Sequence, residues 1–431
     1  MSSQDNPRPT LAHRTSPPTF FQSLLASIIL VWLSLLLLPI TLGLVLVALI
    51  WTRLNGTSLA TSTANSPPKT VLVTGARSNK ALTLIRAFKR AGHKVIAAEE
   101  IDSGSLACAR FSQAVDKYYL LPLAPHDYEG IRDSAYIDAI KSIVAQEHVD
   151  AWVPCSTVHA TMYDSETARQ INAEKLGGTD AATPCDTFIQ HPDIASSLHW
   201  KDRFYDLLMQ LGFPTPESKR VTNIAQALDF LYSPSRPSRS YILKCLTLDD
   251  LARDDLTLLP LATREETLAH LKAMPTPMNH ATPFLLQRFL TGPEYCCHVA
   301  ARDGELVAFV ACRSNEMLMR YVDVNSINAK EMKMGSMIEQ WVREFLRRWK
   351  MELDARGGSE YQRKLTGHFS FDFIWEEDEQ ILYALECNVV CQSQLSHILH
   401  VHSIDYYVAG AYRHMLVLYL NTRYSRILPH H

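Results

Sequence analysis

The stretch Gly367 to Asn388, GHFSFDFIWEEDEQILYALECN, constrains this chain more than any other. Its first half alternates with a period of two. Phe369, Phe371, Phe373 and Trp375 fall on one face of a pleated strand, and His368, Ser370 and Asp372 fall on the other. Glu376-Glu377-Asp378-Glu379 then turns the chain. On the returning strand Glu386 and Asn388 share a face, pointing away from Leu385 and Cys387. Where the two polar faces coincide, two carboxylates and a carboxamide meet at one place. That set suits Mg²⁺, which takes one or two carboxylates and fills its other positions with water and substrate phosphates. The plainer reading is an antiparallel hairpin with one wet face, and this stretch alone does not decide between them.

Upstream, no Asp, Glu, Lys or Arg occurs from Thr15 to Thr52, and Phe20 to Trp51 is almost entirely apolar. A membrane-spanning helix needs about 20 apolar residues, and a signal peptide has an apolar core of only about 7–15. The segment is therefore expected to anchor the protein rather than be cleaved. Its excess length and Pro39 leave two geometries open, a tilted or kinked span and a hairpin that dips in and returns. Basic residues flank both sides (Arg8, Arg14; Arg53, Lys69), so charge does not fix the orientation. Residues 1–19, rich in Pro, Ser and Thr, are expected to be disordered, and 53–69 to form a flexible linker.

Thr70–Thr74 reads as a buried strand, Lys80–Ala91 as a helix and Lys94–Ala98 as a second strand. This is the βαβ opening of a parallel sheet, continued by a helix over Ala135–Glu147 and a strand at Ala151–Pro154. A dinucleotide fingerprint needs several glycines here, and Gly75 stands alone, so NAD(P) binding is a weak reading. Residues 173–186 look like a loop insertion. From Leu198 the pattern changes. An amphipathic helix covers Lys201–Leu211, and Tyr241–Leu246 is a strand apolar except for Lys244. A lysine is rarely buried unpaired, so Lys244 either snorkels at a sheet edge or faces an anion. Phe284–Leu290 is a strand interrupted by Gln287. A hairpin then turns at Asp303-Gly304, with Glu294 at its start. Taken singly, Gln287 and Glu294 are an edge amide and a solvated turn acid. A helix over Ser336–Lys350 and a loop at 352–366 lead into the opening stretch.

The formal charge of −3 and the absence of a basic stripe argue against a nucleic-acid partner. Nine cysteines without a CxxC pair fit neither a disulfide framework nor a zinc site.

The order of these pieces resembles the ATP-grasp superfamily, chiefly through LLQRFLTGPEYC (285–296) and FSFDFIWEEDEQILYALECN (369–388). Within it the chain looks most like the mycosporine-glycine synthase type of ligase. That likeness rests on the apolar N-terminus, on VLVTGARSNKALTLIRAFKRAGHKVI, and on YILKCLTLDDLARDDLTLLP, which has no glycine-rich loop. The resemblance implies a mixed α/β and α+β protein: an N-terminal membrane segment or membrane hairpin (20–52), a Rossmann-like pre-ATP-grasp domain (70–195) and a two-lobed ATP-grasp domain (196–390). It further implies that Lys201 and Lys244 contact ATP phosphates and that Gln287, Arg288, Phe289 and Leu290 form the adenine hinge. Glu294 would bind the ribose, and Asp372, Glu386 and Asn388 would hold Mg²⁺ or Mn²⁺. The implied reaction is ATP-dependent carbon–nitrogen ligation of an amino acid amine to a carboxylate or to the enol of a cyclohexenone such as 4-deoxygadusol. No catalytic residue is assigned beyond these ligands, and the catalytic domain is expected to face the cytosol.

The likeness stops after Asn388. The superfamily continues Glu-x-Asn with Pro-Arg, whereas this chain has Val389-Val390-Cys391-Gln392. Three readings compete: altered chemistry, a non-catalytic ATP binder, or an aberrant C-terminal reading frame over the divergent tail (391–431). The abruptness of the change favours the last.

Overall fold

The computed structural model describes residues 20–54, 68–104, 106–125, 131–178, 184–234, 239–247, 255–314, 324 and 327–389. The expected disordered N-terminus, nearly all of the linker and the divergent tail, including Val390, lie outside these residues. The chain divides into two compact units, Met1–Thr61 and Ser62–His431.

In the first unit, α1 runs from Phe20 to Leu54 as one helix of 35 residues, continuous through Pro39. At 1.5 Å per residue it is about 52 Å long, against a hydrocarbon core of about 30 Å. A helix continuous through Pro39 has no turn within Phe20–Leu54. Ser34 and Thr41 donate their hydroxyls to the carbonyls of Leu30 and Leu37, so these two hydroxyls are satisfied within the helix. The window Ser27–Val47, with mean hydropathy 2.7, is long and apolar enough to cross a membrane.

The second unit opens with a five-stranded parallel sheet. Its strands are β1 (Thr70–Thr74), β2 (Lys94–Glu100), β3 (Lys117–Leu121), β4 (Ala151–Pro154) and β5 (Asp186–Thr187), in the order β3-β2-β1-β4-β5. The helices are α2 (Asn79–Arg90), α3 (Ile101–Gly104), α4 (Ala135–Gln146), α5 (Thr161–Glu174) and α6 (Pro192–His199). Ser78 and Ser134 cap α2 and α4 with their side-chain oxygens, which is why each helix starts where it does. The chain leaves β1 to one side for β2 and returns on the other for β4. This makes the carboxyl end of β1 a switch point, where ligands bind in sheets of this kind. Gly75 sits there at φ +72°, and a Cβ would lie 2.2 Å from the Cys155 carbonyl oxygen. Its glycine is thus explained by close packing rather than by a dinucleotide.

Glu147, at the end of α4, ties this sheet together. Its carboxylate accepts from Lys117 (2.5 Å), Tyr119 (2.6 Å) and Lys94 (2.9 Å), which hold its pKa down at about 2, against an ordinary 4.5. A depressed carboxylate stabilises the fold above its unfolded pKa, and that contribution is lost as pH falls through the folded value. Because both lysines are about half exposed, Glu147→Gln is expected to cost only about 1–2 kcal/mol at neutral pH. The measurement is amide-exchange protection of β2 and β3. Variant and wild type should converge as pH falls from about 4.5 to about 2.

After α7 (Lys201–Gln210) comes a small antiparallel sheet of β6 (Ser218–Val221), β7 (Tyr241–Cys245) and β8 (Phe284–Arg288), in the order β6-β8-β7. It packs with α8 (Ile224–Leu231) and α9 (Arg264–Ala273) around Leu228, Tyr241, Leu271 and Leu286. The last lobe is a four-stranded antiparallel sheet, β10-β9-β11-β12, of β9 (Glu294–Arg302), β10 (Glu305–Arg313), β11 (Gly367–Glu376) and β12 (Ile381–Asn388). The opening stretch is therefore not a free hairpin, since β11 also pairs with β9. α10 (Ala329–Arg356) is longer than the expected Ser336–Lys350 and takes in part of the expected loop at 352–366. Phe369, Phe371, Phe373 and Trp375 all point into one core with Phe204 of α7 and Trp341, Phe345 and Trp349 of α10. Phe345 and Phe371 meet edge to face at 5.3 Å, as do Trp341 and Phe373 at 5.0 Å.

Candidate active site

With the aromatic residues of β11 in one core, its polar residues fall on the opposite face of the sheet. The β11/β12 register sets Asp372 opposite Glu386 and Ser370 opposite Asn388. The register then slips, so that Phe373 faces Ala384 and Leu385 is an extra residue in β12. This bulge flips the parity of the strand. Leu382 and Ala384 join the aromatic core together with Cys387, while Leu385 packs with Leu290, Ile374 and Tyr383. Plain alternation would have kept Leu385 and Cys387 together, whereas in the structure they lie in different clusters.

Lys201, the first residue of α7, brings its ammonium 3.0 Å from Glu386 Oε2. The two side chains keep 27% and 33% of their surface, so the pair is partly buried. Burial and the Glu386 charge push the Asp372 carboxyl well up. Burial also raises Glu386, but Lys201, Lys244 and the hydrogen bond with Asp372 outweigh it and hold that carboxyl down. The two acids are thus pushed in opposite directions, and a doubly charged cation beside them would favour the charged form of both. Asn388 Nδ2 donates to Glu386 Oε1 at 3.4 Å, so its amide lies beside the pair. Among the described residues no group of three His, Cys, Asp or Glu has metal-binding geometry. Mg²⁺ does not need three, and the donor set of two carboxylates and a carboxamide fits it.

Lys244 reaches the same place from the smaller sheet. Its Nζ donates to Gln287 Oε1 at 2.7 Å, and Gln287 Nε2 donates in turn to Ser218 Oγ at 3.1 Å. Burial, then the charge of Lys201, pushes Lys244 down to about 8, and Glu386, Glu294 and Asp372 act against that. Lys244 does not snorkel. It is fixed by an amide, within the field of every acid of the site. Gln287 is a buried anchor for this lysine and no mere edge amide.

The remaining positions lie on the strand joining the lobes. Arg288 pairs with Glu379 at 2.6 Å, and Leu290 is buried against Ile374 and Tyr383. The N–H groups of Arg288 and Phe289 already donate to the carbonyls of Glu217 and Ser240. Glu294 is exposed at the start of β9. Gly292 lets this segment touch β11, since a Cβ there would lie 1.7 Å from the Trp375 carbonyl oxygen. Sequence reasoning missed Ser218 and a cleft of about 200 Å³ lined by Trp200, Asp202, Arg203, Arg220, Leu246 and Pro283. It also missed His298, although period-two alternation from Glu294 would have put that residue on the face of Asp372.

No protein-family model matches the chain, and no curated protein matches it by sequence. Solved structures do match. A biotin carboxylase–β,γ-ATP complex from Campylobacter jejuni superposes with a TM-score of 0.52 at 13% identity, over 80% of this chain and 71% of that one. The ADP complex of N5-carboxyaminoimidazole ribonucleotide synthetase gives 0.50 at 12%, over 76% and 72%. At such identities the likeness is one of fold alone.

Proposed function

We propose that this protein is an ATP-dependent carbon–nitrogen ligase. The observation that carries the reading is the meeting of two cationic side chains, Lys201 and Lys244, with the paired acids Asp372 and Glu386. They come from a helix, a strand of one lobe and two strands of the other, and no packing need brings four charges together there. Both structures of this fold described above hold an adenine nucleotide or its analogue.

In this reading Asp372, Glu386 and Asn388 would hold Mg²⁺, which would supply positive charge to the phosphates. Lys201, paired with Glu386 in the structure, would supply a positive charge to the phosphates. Lys244 contributes a point charge held in place by Gln287. Leu290 offers the adenine a backbone hinge, because the N–H groups of Arg288 and Phe289 are already bonded, and Glu294 faces the ribose. The γ-phosphoryl group passes to an oxygen of the acceptor and ADP leaves. The amine then attacks the carbon bearing that oxygen, the C–N bond forms, the C–O bond breaks, and phosphate departs while the amine loses a proton. Phosphoryl transfer requires positioning and charge neutralisation rather than a protein nucleophile, which suits a site made of cations and acids.

More narrowly, the acceptor is the enol of a cyclohexenone such as 4-deoxygadusol and the amine belongs to an amino acid, as in mycosporine formation. Helix α1 anchors the protein in a membrane with the catalytic unit on the cytosolic side. The test is to incubate the full chain in detergent with Mg-ATP, 4-deoxygadusol and mixed amino acids. ADP release and a mass-spectrometric search for the condensed product are the readouts. Product with stoichiometric ADP is expected. Nucleotide binding without turnover for any substrate pair would make the protein a non-catalytic ATP binder, and tight NADPH binding would make it an oxidoreductase.

A further inference from the structure

The cleft of about 200 Å³ lies away from the paired acids, between two walls. One wall is the junction of α6 and α7, with Trp200, Asp202 and Arg203. The other belongs to the small sheet, with Arg220 of β6, Leu246 and Pro283. The first wall is backed by the core of the large lobe through Leu198, Phe204 and Leu207, and the second by the small core through Val221, Cys245 and Phe284. Arg220 and Lys244 both lie opposite Leu285, from either side, so at a strand spacing of about 4.8 Å their backbones are about 10 Å apart. Lys244 reaches toward Gln287. The cleft lies at the other end of β8, where the Leu246 N–H donates to the Pro283 carbonyl at 3.0 Å.

Two guanidinium groups and one carboxylate line this cleft, so positive charge is in excess there. Arg203 is steadied by Ser196, whose hydroxyl oxygen accepts from its Nη1. Arg220 Nη1 lies 3.4 Å from Asp202 Oδ2, with the two side chains 57% and 23% exposed. An ion pair so open to water is worth about 0–1 kcal/mol, so Arg220 can exchange it for a better anion. Asp206, one turn along α7, also feels Arg220, but burial and then Asp202 push its carboxyl up toward the neutral form. Helix α7 starts without a side-chain cap, which leaves the positive end of its dipole on this wall. Trp200, Leu246 and Pro283 make the rest of the lining flat or apolar. The volume is below the about 300–1,000 Å³ of sites that take drug-sized ligands, so the occupant is small.

We propose that this cleft binds the phosphate monoester of a small organic group, with the phosphate held between Arg203 and Arg220 and the organic part against Trp200, Leu246 and Pro283. A phosphate monoester carries nearly two negative charges and three strong acceptor oxygens, which two planar guanidinium forks can share, one from each wall. A carboxylate offers one charge and satisfies one fork. Asp202 repels any anion in the cleft, so a ligand held by a single arginine gains little and both are needed. Because the two arginines stand on different lobes, the bound ester ties those lobes together and stabilises the fold by mass action. The inference goes beyond the ligase reading and requires neither nucleotide nor turnover.

The test titrates the full chain in detergent by calorimetry with phenyl phosphate, benzoate and inorganic phosphate, each with and without Mg-ADP. Phenyl phosphate should bind saturably, at least about tenfold tighter than benzoate or inorganic phosphate, and should raise the melting temperature. Mg-ADP should not displace it. Arg203→Met and Arg220→Met should each weaken the ester at least about tenfold and leave Mg-ADP affinity unchanged. Both side chains are exposed, so neither change disturbs a core. Binding should shift the indole fluorescence, and Trp200→Phe should remove most of that shift while the heat of binding persists. No saturable binding, benzoate as tight as the ester, or unchanged affinity in either arginine variant would overturn the site. Inorganic phosphate as tight as the ester would overturn the assignment of an organic ligand. Displacement by Mg-ADP, or an equal loss of Mg-ADP affinity in Arg220→Met, would make the cleft part of the nucleotide site and overturn the proposal. If Mg-ADP does not bind and the ester pattern holds, the ligase reading falls and this site stands. If Mg-ADP binds and the pattern is missing, only this site falls.

Discussion

Glu386→Gln is expected to lower ADP release about 10²- to 10³-fold, the size of effect seen when one preorganised charge partner of a reacting group is lost. Glu386 is the acid of the pair that stays ionised, because Lys201 lies 3.0 Å away and outweighs its burial. An amide there cannot offset the charge of a metal, although it fills the same space. Asp372→Asn should cost activity similarly, and it makes the sharper control. Burial and Glu386 push the Asp372 carboxyl well up, toward the neutral form that an asparagine resembles. Its melting temperature should be unchanged or higher, since the asparagine removes an acid whose charged form burial and Glu386 disfavour. Glu386→Gln leaves Lys201 without its partner. That side chain is 27% exposed, so the stability lost is under about 1 kcal/mol. Full turnover in either variant would remove the metal site from the reading. Loss of activity together with a collapsed melting temperature would point to packing instead.

The aromatic half of this site was legible because four large apolar residues at period two leave a strand little choice of face. Thr70–Thr74 and the Asp303-Gly304 hairpin were legible for similar reasons. The bulge at Leu385 was not, because one extra residue in a strand is invisible to a reading that assumes strict alternation. Its consequence is large, since it lets Leu382 and Ala384 enter the core while Glu386 still faces Asp372. Helix α5 was missed for a different reason. Asp164, Ser165, Glu166 and Thr167 are all buried, so its polar residues do not mark a solvent face. Lys244 and Gln287 each stood out as a polar interruption, but 43 residues separate them. Only the pairing of β7 with β8 shows that one satisfies the other. The pairing of β11 with β9 is likewise non-local, so an apparent hairpin proved to be part of a four-stranded sheet.

Lys244→Met should weaken Mg-ATP binding by roughly 10- to 100-fold, the equivalent of a charge-assisted hydrogen bond worth about 1.5–3 kcal/mol. A structural lysine would behave differently. Lys244 makes one hydrogen bond, to a neutral amide, and burial pushes its pKa down to about 8. Keeping its charge in the folded protein is therefore a cost, which methionine removes while filling the same volume. Against that, Gln287 Oε1 loses its donor. The two effects oppose each other, and the apo protein should keep its melting temperature to within about 1 kcal/mol of stability. Its pH dependence gives a second check. A base with a depressed pKa loses its proton as pH rises through about 8, and only the ammonium form attracts phosphate. Wild-type affinity for Mg-ATP should therefore fall between pH 7 and pH 9, and Lys244→Met, already weak, should lack that step. Both are read by titrating a fluorescent ATP analogue into each protein beside a thermal melt. A variant that binds nucleotide as wild type does but melts early would make Lys244 a packing residue. The nucleotide would then have to be held by Lys201 without it.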